Sequence, residues 1–239
     1  MYGRGVDNPW LSLDYLRRNG AEVWDQLVIH ATLTLEAVLI AVVIALPLAA
    51  LVHRSPRLSG TIMGLTGVLY TIPSFALFAL LAPFTGIGRT TVLVGLVAYA
   101  LLVLVRNTVV GLAGVDPDVV DAARGLGYTR TRMLVAVELP NALPSIIAGL
   151  RIATVSTVAL VTVGVVVGYG GLGQLMFRGM QSNYRAQITT SALLCLALAL
   201  VLDLAIVALG RRLTPWTRER RARRGGRAAR PAGAAGAAA

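Results

Sequence analysis

Four formally charged side chains lie inside long apolar runs: Glu36, Arg106, Arg151 and Asp203. A charge in hydrocarbon is expensive, so each marks an internal partner or a polar route for a solute or ion. Arg151 stands about two turns into the fourth apolar run, and Asp203 about two turns into the fifth from the same end. Arg106 lies near that end of the third run. Comparable depth predicts an ion pair, Asp203 with Arg151 or with Arg106, since a lone charge there would cost roughly several kcal/mol. Such a pair is structural rather than a proton relay. Glu36 is about a third of the way into the first run, where snorkelling or a bond to a neighbouring helix is expected before solute contact. His30, near the start of that run and so at the interface opposite Arg54, carries no assigned role.

Other chemistries are narrowed by composition. No Lys occurs in the 239 residues, so a Walker A phosphate loop is excluded and any ATP is hydrolysed elsewhere. Cys195 is the single cysteine, so a disulfide within the chain is impossible. Gly168-Tyr169-Gly170-Gly171-Leu172-Gly173 spells G-x-G-x-x-G, but it follows a membrane-length apolar run rather than a strand. Gly170, Gly171 and Gly173 are therefore expected in a flexible outer loop near a solute entrance. Gly60 with Gly64, and Gly164 with Gly168, have the spacing of close helix packing.

A different kind of element lies between the third and fourth runs. Asp116 is a good N-cap, Pro117 suits the first helical position, and Asp118 and Asp121 place negative charge in the first turns. Gly125 and Gly127 end this short helix, whose middle, Ala122-Ala123, is nearly bare of side chain. Thr129 can cap a second short helix, which Pro140 is expected to end. The stretch cannot lie in hydrocarbon and reads as a docking element at the membrane surface.

The elements that must position these groups are five apolar helices. At 56% hydrophobic residues and a mean hydropathy of +0.73, the chain belongs to the membrane class. The spans are 27–52, 61–82, 91–112, 143–167 and 188–209, each long enough for about 30 Å of hydrocarbon. With the 113–142 loop in the cytoplasm, fourteen arginines lie inside (Arg54, Arg57, Arg124, Arg130, Arg132 and nine from Arg211 to Arg230). Six lie outside: Arg4, Arg17, Arg18, Arg89, Arg178 and Arg185. That bias predicts the N-terminus outside and the C-terminus inside. The distribution also accounts for the net charge of +11 without nucleic acid. Residues 1–26 form an extracytoplasmic segment with a short surface helix, Trp10 and Trp24 at the interface, and no cleavable signal peptide. Residues 214–239 are an Arg-, Ala- and Gly-rich tail, expected to be disordered and able to meet anionic lipid. Pro73 breaks the second span, and Pro47 is a second expected break near the inner end of the first. Carbonyls freed at depth need protein or a water-lined path, which makes Tyr70, Thr71, Pro73, Ser74 and Tyr99 candidates to line one.

The docking stretch resembles the EAA motif of ABC-transporter permeases, which runs acidic-Ala-Ala, three residues, Gly, nine residues, an aliphatic residue, one residue, Leu-Pro. Asp121, Ala122, Ala123, Gly127, Val137, Leu139 and Pro140 fill those places, with Asp for the usual Glu and Val for the usual Ile. Five further stretches are similar to the permeases of importers for osmoprotectants such as glycine betaine, choline, carnitine or proline betaine. They are Tyr70-Thr71-Ile72-Pro73-Ser74, Pro83-Phe84-Thr85-Gly86-Ile87-Gly88, Val105-Arg106-Asn107-Thr108, Gly170-Gly171-Leu172-Gly173 and Arg211-Arg212-Leu213-Thr214-Pro215. The resemblance covers residues 27–215. It implies the all-α, five-helix core of type I, methionine-permease-like importers in a bacterial cell membrane. It also implies a second permease subunit, identical or paralogous, a separate ATP-binding subunit holding ATP and Mg, and an extracytoplasmic solute-binding protein. No cofactor is implied on this chain. A same-fold permease for methionine or another amino acid remains open. An ion-coupled carrier is disfavoured, because no internal repeat is evident and the charged span residues are off centre.

Overall fold

The structure is a computed structural model that describes residues 8–216. Arg4, Asp7 and the arginines from Arg218 to Arg230 lie outside the described residues. Those described form helices throughout: α1 (Leu13–Arg54), α2 (Pro56–Thr71), α3 (Ser74–Thr85), α4 (Arg89–Ala113), α5 (Pro117–Gly125) and α6 (Arg130–Met133). A π turn (Leu134–Glu138) leads into α7 (Leu139–Val163), a 3₁₀ turn (Gly164–Val167) closes it, and α8 (Leu172–Gln181) and α9 (Arg185–Leu213) follow.

Four helical stretches are long and apolar enough to cross a membrane, or up to five if the bent pair α2–α3 counts as one. The 101° bend of that pair falls at Ile72-Pro73, where Pro73 removes a donor and Ile72 adopts an extended conformation. Pro47 makes no such break, and α1 continues through it. One missing N–H inside 42 residues of helix leaves the flanking ladder to hold the axis. The separate surface helix expected in residues 1–26 is likewise absent from the described part. Ser12 caps α1, accepting from the Tyr15 amide at 3.2 Å, and the helix then runs on into the first apolar run. The turn dipeptide Asn19-Gly20 is overridden, and with no proline between Leu13 and Leu27 the helix propagates through it once nucleated.

α1, α4 and α7 pack side by side as the centre of the bundle. Ala37, Ala41, Ala45 and Ala49 repeat every fourth residue on α1 and are buried, which lets α4 and α7 approach closely. Leu96, Ala100, Leu104 and Val105 of α4 and Ala153 of α7 fill the other side. α4 and α7 touch where a Cβ on Gly149 would sit 2.5 Å from the Asn107 Cβ, and one on Gly111 2.8 Å from the Ser145 Cβ. Gly60 and Gly64, by contrast, have open space beside them, so their spacing serves no packing within this chain. The apolar core of α9 has none of its residues buried, which leaves that face for lipid or for another subunit.

Candidate functional site

At one end of the bundle the chain forms a capped knuckle. Asp116 accepts from the Asp118 amide at 3.0 Å and starts α5. Its end is a Schellman motif: Gly127 N–H donates to the Arg124 carbonyl at 3.0 Å and Tyr128 N–H to the Ala123 carbonyl at 3.2 Å. Gly127 supplies the required left-handed conformation, φ +79°. Ala122 is exposed, Ala123 is buried, and exposed Asp121 pairs with Arg124 at 2.6 Å. Thr129 caps α6 through the Arg132 amide at 3.4 Å, and the Arg132 guanidinium stacks 4.3 Å over the Tyr128 ring.

Pro140 does not end this second helix. α6 passes through the π turn into α7, giving one helical run from Arg130 to Val167, with Pro140 in the first turn of α7. The π turn resets the hydrogen-bond register just ahead of a residue that has no N–H to offer, with the Leu139 N–H returning to the Leu134 carbonyl. Val137, Leu139 and Pro140 are half-buried there, and α5 packs on the turn. Leu134 and Leu139 reach a cluster with Leu112 of α4 and Ala142 of α7, which keys the knuckle to the helix ends. α1 braces it too: Arg54 donates to the Arg130 carbonyl at 2.8 Å, and His53 Nε2 lies 3.6 Å from the Glu138 carboxylate. Neither brace is legible in the sequence, where the only signal is that His53 and Arg54 close the first apolar run.

Tyr70, Thr71, Pro73, Ser74 and Tyr99 line a single cavity of about 390 Å³ at the α2–α3 break. Val103 of α4 and Ala153, Ser156 and Thr157 of α7 complete it. Ser156 and Thr157 could have been found as polar side chains at depth on the fourth run. The Tyr99 hydroxyl donates to the Ile72 carbonyl, which the helix break leaves without a helical partner. The Tyr70 and Tyr99 rings stand edge to face, with centroids 6.1 Å apart and planes at 73°.

Asp203 of α9 receives Arg151 of α7 in a bidentate pair, Nε at 2.7 Å and Nη2 at 2.8 Å. Arg106 is exposed on α4 and has no polar partner among the described residues, so it is not part of that cluster. The distance between α4 and α9, which are separated by α7, is the reason. Glu36 pairs with Arg89 at the start of α4. His30 is fully buried, its Nε2 2.9 Å from the Val158 carbonyl of α7.

Gly170, Gly171 and Gly173 are tightly packed rather than loose. A Cβ on Gly171 would sit 2.8 Å from the His30 Cβ, one on Gly170 2.7 Å from the Val165 amide nitrogen, and one on Gly173 2.5 Å from the Thr162 carbonyl oxygen. The glycines let the chain turn back against α1 and α7, and the following α8 is amphipathic, tied to α1 by Arg178–Glu22 at 2.5 Å.

Residues 37–219 match the family described as "Binding-protein-dependent transport system inner membrane component". The chain belongs to that family. It is 36% identical over 201 residues to a carnitine transport permease protein of Listeria monocytogenes, covering 84% of this chain and 92% of that protein. It is 33% identical over 208 residues to a choline transport system permease protein of Bacillus subtilis, covering 87% and 96%. An osmoprotectant import permease protein of Salmonella typhimurium is 37% identical over 191 residues, covering 78% and 89%. Among solved structures, the inward-facing methionine ABC transporter MetNI aligns with TM-score 0.75 at 24% identity, over 85% of this chain and 100% of that chain. That likeness establishes the fold, and the chain is a transport subunit rather than an enzyme.

Proposed function

We propose that this chain is the permease subunit of an ATP-driven importer for compact quaternary-ammonium osmoprotectants such as glycine betaine, choline or carnitine. The observation that carries this reading is the 36% identity, across 92% of its length, with a carnitine transport permease. In this reading α2–α3 is one broken span, the chain crosses a bacterial cell membrane five times, and the N-terminus is outside with the C-terminus inside. The α5 knuckle docks on a separate ATP-binding subunit that holds ATP and Mg, while a solute-binding protein delivers solute from the other side. A second permease subunit completes the pathway, of which the Tyr70–Tyr99 cavity is this chain's half.

The coupling route is mechanical. α7 leaves the π turn beside the knuckle and carries Ser156 and Thr157 to the cavity, about 26 Å away along the helix. A rigid helix converts a shift of the knuckle into a shift of the cavity wall, and π turns are common sites of such adjustment. Arg151–Asp203 makes α9 move with α7. Free energy enters through the knuckle's different contacts with open and closed ATP-binding subunits.

The test is ATP-dependent uptake of labelled glycine betaine, choline and carnitine by the reconstituted complex. Uptake of at least one, abolished by Ala122→Trp without loss of membrane insertion, is expected. Uptake of methionine alone would favour the amino-acid reading, and normal uptake by Ala122→Trp would remove the docking assignment.

A further inference from the structure

The geometry points to the Tyr70–Tyr99 corner as a cation–π subsite that holds the quaternary ammonium of the solute inside the permease itself. This rests on the reading above and adds a recognition role to a chain otherwise assigned a passive pathway.

A trimethylammonium group carries positive charge but no N–H, so hydrogen-bond acceptors and carboxylates cannot grip it directionally. Aromatic faces can, through the ring quadrupole, with charge and ring centroid within about 6 Å. The cavity wall contains two tyrosines and no Asp, Glu or Arg. The two rings meet edge to face at 73° rather than in a closed stack, so the pair leaves ring face open on the more exposed partner. Tyr99 is buried, 7% exposed, with its hydroxyl committed to the Ile72 carbonyl, so it is a fixed ring against which Tyr70 stands. Tyr70, 57% exposed, lines the same cavity and is the accessible ring of the pair. The Ile72 carbonyl adds negative potential beside the corner. Ser74 and Ser156 have hydroxyls without a polar partner among the described residues, available to the carboxylate or hydroxyl end of the solute. The cavity is thus apolar where the methyl groups would sit and polar beside it, as a small-molecule site requires.

The experiment uses the complete transporter in proteoliposomes, with ATP inside and saturating choline-loaded binding protein outside. Choline taken up per ATP hydrolysed is the readout. Position 70 is changed to Phe, to phenylalanines carrying one, two and three ring fluorines, and to Leu. Fluorination withdraws charge from the ring face while keeping its shape, so a purely packing role would not follow it. Uptake per ATP is expected to stay within about twofold for Tyr70→Phe, to fall stepwise with fluorine, and to drop at least about tenfold for Tyr70→Leu. Equal coupling in the trifluorinated and Phe variants would overturn the subsite, as would unchanged coupling in Tyr70→Leu. Equal loss in every variant, Phe included, would assign the residue a hydroxyl or structural role and also overturn it. A wild-type complex that imports none of choline, glycine betaine and carnitine would instead refute the transport reading, and the subsite with it.

Discussion

Gly127 offers a quantitative test of the docking knuckle. Its φ of +79° lies in the left-handed region, and open space surrounds the position where a Cβ would stand. A side chain there meets no neighbour, so substitution acts through backbone conformation alone. Valine in this region costs about 2 kcal/mol, whereas asparagine tolerates it. If the Schellman closure must be present for docking, Gly127→Val reduces the competent population, and hence the apparent affinity for the ATP-binding subunit, by up to about thirtyfold, the limit reached when the closure is only marginally stable. Gly127→Asn should stay within about threefold. Interferometry with purified permease in nanodiscs measures both, and detection in the membrane fraction controls for insertion. Equal affinities for wild type and Gly127→Val would refute the reasoning, as would equal losses in the Val and Asn variants.

Three further outcomes follow from the packing. Arg151→Asp and Asp203→Arg should each lower the melting temperature of the detergent-solubilised chain, and the charge-swapped double variant should recover part of the loss, since the pair rather than either charge is what the fold uses. Gly149→Val forces a contact with Asn107 at the α4–α7 crossing and should destabilise by about 1–3 kcal/mol, read as a lower urea midpoint. Tyr99→Phe leaves the Ile72 carbonyl without its hydroxyl donor; a loss of about 1–3 kcal/mol is expected in the same assay, with no effect on binding of the ATP-binding subunit.

Local signals in the sequence account for much of this arrangement. The caps at Asp116 and Thr129, the turn at Gly127 and the break at Pro73 are set by short-range chemistry and read directly from residue type. The five residues named around that break share one cavity because Pro73 itself creates the bend and Tyr99 answers the freed carbonyl. Features set by long-range packing were not legible. Gly170, Gly171 and Gly173 look like a loose loop until the chain folds back, Gly171 onto His30 of α1, and Gly170 and Gly173 onto the Val165 and Thr162 backbone. Pro140 signals a stop by its own chemistry, and only the π turn before it lets the helix continue. Depth alone could not choose between Arg106 and Arg151 as the partner of Asp203, because that choice depends on which helix lies next to α9. The four-residue alanine repeat of α1 was hidden within a run that is apolar on every side.

Docking of the knuckle requires Ala122 to meet a separate ATP-binding subunit in the cytoplasm, and cross-linking tests this most directly. With Cys195→Ser as background, Ala122→Cys in inside-out vesicles containing the whole complex should cross-link to the ATP-binding subunit through a short bifunctional maleimide, at a yield that changes when ATP is added. Labelling of that cysteine only by reagents applied from the outside, or cross-links to the solute-binding protein instead, would contradict it.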